Sequence, residues 1–325
     1  MNPSSSIPPP RHPEDLPGAA TTVGEIDEDT LVNRLRPLLP TDSRVILGAG
    51  DDCAVFAPDD RSRLLLLKTD AVVERLHFAP GEDPERVGWK ALCRALSDIA
   101  AMGGRPLAAL ITLGVNRERP VVEVEGWYRG IQRAATRYQT VVVGGETVGS
   151  ERDAWLSISL LGEVTPEHLM RRDGGRAGDE LFVTGWLGGS LAGWHLDFEP
   201  RLEQAQWLAR QSGVRAMMDL SDGLARDLPR LAAASGCGFE VAPFKLPMRP
   251  GIEPATALTD GEDYELLLAV NPRRSRELRK RWAAEFPNLP LSLIGLLLAD
   301  QQTQNGFECL NGTNAPGGWD HLDRR

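Results

Sequence analysis

The sequence offers little sulfur to build with. It has four cysteines in 325 residues, and Cys53, Cys93, Cys237 and Cys309 lie far apart, with no C-x-x-C pair and no partner histidines. That pattern fits neither a zinc knuckle nor a disulfide framework and favours a reducing compartment. Long apolar runs are missing too: the longest, Leu291–Ala299, falls far short of the roughly 20 residues of a membrane span. Positive charge is outweighed, with 36 Lys plus Arg against 46 Asp plus Glu and a net charge of −10. This argues against non-specific nucleic-acid binding. It leaves room for an anionic substrate, because bound divalent cations reverse the local sign. The usual phosphate loops, G-x-x-x-x-G-K-S/T and G-x-G-x-x-G, do not occur, and no internal repeat is visible. The start, MNPSSSIPPPRHPEDLPG, is rich in proline and has no apolar h-region. It is expected to be a disordered leader over residues 1–22 and not a secretory signal. The cytoplasm is then the expected location, and the Asn311-Gly312-Thr313 sequon an accident of composition.

What is present is ordinary for a folded protein: 42% hydrophobic and 25% charged residues, in a length that suggests two domains. Helical spacing predicts helices over Glu25–Leu39, Pro84–Met102, Val122–Tyr138, Gly189–Leu196, Glu203–Gln211, Asp222–Ala234 and Arg273–Phe286. Strands are predicted at Arg44–Leu47, Cys53–Phe56, Leu64–Lys68, Leu107–Val115, Thr140–Val143, Trp155–Val164, Glu180–Thr184, Tyr264–Val270 and Leu291–Leu298. Each half reads as α/β or α+β. A Pro-, Gly- and charge-rich stretch at Thr165–Gly178 places the boundary, giving domains 23–165 and 166–325.

Acidic residues recur beside the apolar strands: Gly50-Asp51-Asp52, Thr69-Asp70, Gly145-Glu146-Thr147, Asp219-Leu220-Ser221-Asp222 and Gly261-Glu262-Asp263. Strand ends in α/β sheets gather at one edge, so such carboxylates are expected to converge. Gathered carboxylates repel unless cations neutralise them, and oxygen donors without His or Cys suit Mg²⁺. Metal-bridged phosphoryl chemistry follows from residue types alone. Each residue also has a plainer reading: turns at Asp51-Asp52 and Glu262-Asp263, and a surface pair of Asp98 with Arg94. Ser221 would be a helix cap, His77 a packed histidine, Arg171-Arg172 a solvated pair, and Trp319 a packing anchor.

Jointly these segments resemble the thiamine-monophosphate kinase family, of the aminoimidazole ribonucleotide synthetase-like group. The stretches are GAGDDCAVF (48–56), TDAVVERLHF (69–78), KALCRALSDIAAMGG (90–104), VVVGGET (141–147), RRDGGRAGD (171–179), DLSDGLARDL (219–228), DGEDYELLLAV (260–270) and GGWDHL (317–322). The resemblance implies a two-domain fold, an N-terminal mixed sheet with flanking helices followed by an α+β domain that completes the cleft, and a homodimer formed through the first sheet. It implies γ-phosphoryl transfer from ATP to thiamine monophosphate with several Mg²⁺ ions. Carried over, Asp52, Thr69, Asp70, Asp98, Glu146, Asp219 and Asp222 become metal ligands, with Asp70 and Asp222 catalytic. Gly145, Glu146, Arg172 and Ser221 would hold the nucleotide, and His77, Glu262 and Trp319 the thiamine substrate. Lys68, Glu146 and Arg75-Leu76 depart from the family pattern. A ligase-like relative of the same group, or a Mg-nucleotide-binding protein without turnover, are the alternatives.

Overall fold

The computed structural model describes residues 22–299, which fall into a small unit ending at Pro40 and a large one beginning at Thr41. In the small unit, helix α1 (Glu28–Leu35) is capped by Asp27, whose carboxylate accepts from the Thr30 N–H at 2.6 Å. It is shorter than the expected Glu25–Leu39, because Pro37 brings no N–H and the chain tightens into a 3₁₀ turn at Arg36–Leu38.

The large unit is organised around helix α2 (Pro84–Ala101), in which every residue from Val87 onward is buried. Asp83 caps it, accepting from the Glu85 and Arg86 N–H groups, and Pro84 supplies the preset φ of a first helical position. Helix α3 (Val121–Arg137) lies against it at unusually close range. A Cβ on Gly88 would come within 1.9 Å of the Trp127 carbonyl, and one on Gly130 within 1.9 Å of the Glu85 carbonyl. Only glycine allows these two backbones to approach so closely.

A six-stranded sheet carries α2 and α3 on one face. Its strands are β1 (Val45–Leu47), β2 (Ala54–Phe56), β3 (Leu64–Val73), β4 (Arg105–Val115), β5 (Val141–Gly149) and β6 (Trp155–Val164), in the order β1-β2-β3-β6-β4-β5. Only β4 and β5 run parallel, joined by α3 as a crossover. β3 pairs with β6 along its whole length, from Leu64 opposite Val164 to Val73 opposite Trp155. Alternation sends Leu66, Val72, Leu156, Ile158, Leu160 and Ile111 toward the helices. Leu67 and Leu110 face the other way and stay about half exposed.

The second sheet is five-stranded and antiparallel: β7 (Glu180–Thr184), β8 (Val214–Asp219), β9 (Gly238–Val241), β10 (Leu266–Val270) and β11 (Leu291–Leu298), ordered β8-β10-β7-β11-β9. β10, between β8 and β7, is buried on both faces, which explains its unbroken Leu-Leu-Leu-Ala-Val run. One face packs on α6 (Leu224–Ala234) and α7 (Pro254–Thr259). Residues of the other face, among them Phe182, Met217, Leu266 and Leu268, belong to the same core as α2, α5 (Leu202–Ala209) and α8 (Pro272–Glu285). The expected helix at Gly189–Leu196 is a 3₁₀ turn followed by the single-turn α4 (Trp194–Asp197). The sequence reading missed β8, β9 and α7, all of six residues or fewer.

Candidate active site and metal centre

Asp52 lies in the loop between β1 and β2, Asp98 in the last turn of α2, and Asp219 at the end of β8. An oxygen from each carboxylate lies within 4.8 Å of the other two, and all three residues are buried. Their meeting does not follow the strand-end rule expected from sequence. Both sheets are largely antiparallel, so strand ends point both ways; a loop, a helix and one strand end converge here instead. Thr69-Asp70 and Gly145-Glu146, expected just beyond strands, are inside β3 and β5 because both strands run on past their apolar halves.

Fixed cations flank the three acids. Lys68 Nζ donates to Asp98 Oδ1 at 2.7 Å, so Asp98 pairs across to β3 and not with Arg94 of its own helix. Arg172 is no solvated linker residue. Its guanidinium pairs with Asp52 and, at 3.2 Å, with Asp51, whose other oxygen accepts from the Arg172 N–H at 3.2 Å. Ser97 Oγ donates to Asp219 Oδ2 at 2.7 Å. Burial pushes the Asp52 carboxyl up to about 6, against the pull of Arg172 and with a push from Asp219. Burial likewise raises Asp98 well above the usual range, opposed by Lys68, and raises Asp219, opposed by the Ser97 hydrogen bond.

These shifts set a sign for stability. Carboxyls whose folded pKa lies above the unfolded value of 3.8 bind more protons when folded, so their contribution falls as pH rises through the folded pKa. In chelator, the Tm is expected to be higher at pH 5.5 than at pH 7.5. A Tm that rises with pH over this window in calorimetry would contradict the assignment.

A second cluster adjoins the first. Lys90, Arg94 and Asp98 recur every four residues and so stack along one face of α2. Lys90 is fully buried; its Nζ donates to the His77 carbonyl at 2.6 Å and Glu262 Oε2 at 2.7 Å, and lies 2.7 Å from His195 Nδ1. Arg94 donates to the Ala71 carbonyl at 3.1 Å and to Asp70 at 3.4 Å, and reaches within 3.9 Å of Glu262. Burial raises Glu262, but Lys90, His195 and Arg94 outweigh it and hold the carboxyl well below its ordinary range. Asp70 is also held low: burial pushes up, while Arg94 and Lys68 prevail. Burial lowers Lys90 to about 8. Backbone bonds from Glu262 N–H to the Ser221 carbonyl (2.7 Å) and from Tyr264 N–H to the Leu220 carbonyl (2.9 Å) tie this loop to the one after Asp219.

Other expected ligands stand apart. Side chains alternate along β3, so the Thr69 hydroxyl emerges opposite to Lys68 and Asp70, 3.4 Å from Ser157 Oγ. Its side chain does not join the three acids. Gly145 and Glu146 are on edge strand β5. Glu146 is level with Thr112, Ser157 and Ala71 on successive strands, roughly 14 Å from β3 within one chain and on the Thr69 face. Gly145 is required locally, since a Cβ there would lie 1.8 Å from the Ile111 carbonyl. Asp222 turns toward α6, where Arg230 holds it at 2.6 Å. Ser221 does not cap that helix, which starts only at Leu224 after Gly223 at φ 95°. His77 accepts from the Val73 N–H through Nδ1 at 3.0 Å. Trp319 lies outside the described residues. The sequence reading gave no site role to Lys90, to Arg94 (read as a surface partner of Asp98) or to His195. For the first two, a signal existed: charges at four-residue spacing in an otherwise apolar helix.

Models of the AIR synthase related protein family match both parts of the chain, the N-terminal domain over residues 50–164 and the C-terminal domain over 169–304. Fold and site thus define a two-domain protein of the AIR synthase related class. Thiamine-monophosphate kinase of Aquifex aeolicus is 35% identical over 329 residues, covering 92% of this chain and 99% of that one. The Rhodopirellula baltica enzyme of the same name is 38% identical over 249 residues, 71% of this chain and 78% of that one. A solved structure described as "AaThiL complexed with AMPPCP and TMP" superposes with a TM-score of 0.78 at 32% identity, covering 93% of this chain and 99% of that one. The chain belongs to the thiamine-monophosphate kinase family and is a kinase.

Proposed function

We propose that the protein transfers the γ-phosphoryl group of ATP directly, in line, onto the phosphate of thiamine monophosphate, giving thiamine diphosphate and ADP. The observation that carries this is the convergence of Asp52, Asp98 and Asp219, in a chain whose relatives bear that enzyme's name. The acceptor phosphate oxygen is already anionic near neutral pH, so no strong base is needed. The obstacle is repulsion between two anions, and catalysis is chiefly alignment and charge neutralisation.

The donor set fits Mg²⁺: three buried carboxylates, oxygen only, with protonation favoured by their desolvation and mutual repulsion. Asp52, Asp98 and Asp219 would hold it, with Asp70 and Asp222 at the margin; bound there, it supplies charge neutralisation for the triphosphate. Arg172 orients Asp51 and Asp52 and brings a fixed positive charge to the nucleotide side, to which we also assign Ser221. Glu262, kept ionised by Lys90 and Arg94, is a carboxylate suited to a cationic thiazolium, with His77 close by; Trp319 would offer an aromatic face. We assign Gly145 and Glu146 to the nucleotide site of a homodimer built through the open face of the first sheet. That face exposes Leu67 and Leu110, and β5 at its edge exposes Val141 and Val143. The domains are taken as 23–165 and 166–325, and the cytoplasm as the location.

The test is direct. Purified protein incubated with ATP, Mg²⁺ and thiamine monophosphate should yield thiamine diphosphate and ADP in equal amounts, and none in excess chelator. Turnover only with a different acceptor would replace this reading by the ligase-like one.

A further inference from the structure

Lys68 has no part in the chemistry just described, yet it sits among its acids. Strand alternation puts it on the helix-facing side of β3 with Leu66 and Asp70, and its side chain is 24% exposed. Its Nζ lies 2.7 Å from Asp98 Oδ1, one of the three carboxylates whose oxygens come within 4.8 Å of each other. Its charge is also felt at Asp52, Asp219 and Asp70. A Mg²⁺ ion on the same Asp98 oxygen would stand about 2.1 Å from it. That would place a divalent charge almost in contact with the ammonium, with no water between to screen the repulsion. The oxygen that holds Lys68 is therefore unfavourable for a metal ion, while the second oxygen of the same carboxylate carries no such conflict.

Resting on the reading of these acids as a Mg²⁺ site, we infer that the Lys68 ammonium is a built-in cation of that site. It takes the place at Asp98 that a divalent ion would otherwise fill, so the chain binds one metal ion fewer than its carboxylates could hold. Asp52, Asp219 and the other Asp98 oxygen carry the exchangeable metal, while Asp98 Oδ1 anchors Lys68. The arrangement neutralises part of the acidic cluster permanently and makes the protein less dependent on the metal concentration around it.

Counting ions separates the cases. Mn²⁺ bound per chain is measured by electron paramagnetic resonance on the nucleotide-free, full-length protein, with circular dichroism to confirm the fold. Lys68→Thr is expected to bind one Mn²⁺ more than the unmodified chain and to hold the ion already present about tenfold tighter. Lys68→Arg, which keeps the charge, should leave the count unchanged, separating lost charge from disturbed packing. Asp98→Asn in the unmodified background should weaken binding of the ion already present, because it removes a shared ligand together with the anchor of Lys68. An unchanged count in Lys68→Thr, whatever the affinity, overturns the inference while leaving the metal site standing. Absence of Mn²⁺ binding in both the unmodified chain and Lys68→Thr brings down the metal-site reading itself.

Discussion

Asp219→Asn is expected to lower kcat by about a thousandfold or more while raising the Tm of the metal-free protein. The substitution keeps the shape of the side chain, and its remaining carbonyl oxygen can still accept from Ser97, now 2.7 Å from Asp219 Oδ2. What it removes is one of three negative charges held within 4.8 Å in a buried pocket. Losing a ligand that positions the metal costs several kcal/mol in the transition state, and each 1.36 kcal/mol is tenfold in rate. Without metal the same charge is a liability, so relieving its repulsion should add about 1 kcal/mol, or about 2 °C in Tm. Steady-state kinetics and calorimetry in chelator check the two halves separately. Near-normal turnover would remove Asp219 from the metal site, and a lowered Tm would mean the carboxylate is structurally satisfied without a cation.

The largest stability effect is expected at Lys90→Met. The ammonium is wholly buried against three acceptors, and methionine fills similar volume without charge. Glu262 would then keep His195 at 3.0 Å, the Tyr264 hydroxyl at 3.5 Å and the more distant Arg94. Breaking a buried pair from one side typically costs about 3–5 kcal/mol, because a charge is left uncompensated. A drop of roughly 8 °C in Tm should follow. The double variant Lys90→Met/Glu262→Gln should recover most of it, since no charge is stranded. A single variant as stable as the unmodified protein, or a double variant no better than the single, would show that Lys90 and Glu262 do not depend on each other.

Much of this could be read from the sequence, for identifiable reasons. The long elements carried clear periodicity: α2 and α3 by their apolar faces, and β6, β7 and β11 with bounds matching expectation. β3 and β5 were read too short because their second halves, Thr69–Val73 and Gly144–Gly149, trade apolar residues for acids, hydroxyls and glycine. Pairing with β6 and β4 keeps them extended, and pairing is not local information. The same holds for the acids. Residue type singled out Asp52 and Asp219, and the family resemblance added Asp98, but nothing nearby in sequence reveals that Thr69 and Glu146 fall on the other face of the sheet. Lys68 was noticed as a departure, and its partner became visible only when α2 lay across β3. Lys90 and Arg94 were hidden by habit: charged residues in a helix are read as solvent-facing unless the helix is known to be buried on every side.

That burial has a wider consequence. A single core joins side chains of the first sheet, of α2 and of the second sheet, from Leu66 and Ile158 through Leu96 to Met217 and Leu268. The second half keeps a further interior between its sheet and α6 and α7, but the buried face of the first sheet belongs to this shared core. Cutting the polypeptide between the sheets would strip one flank from each, and fraying of α2 would dissolve the pocket and the scaffold together. Cooperativity of unfolding and integrity of the reaction centre are thus vested in the same eighteen-residue helix.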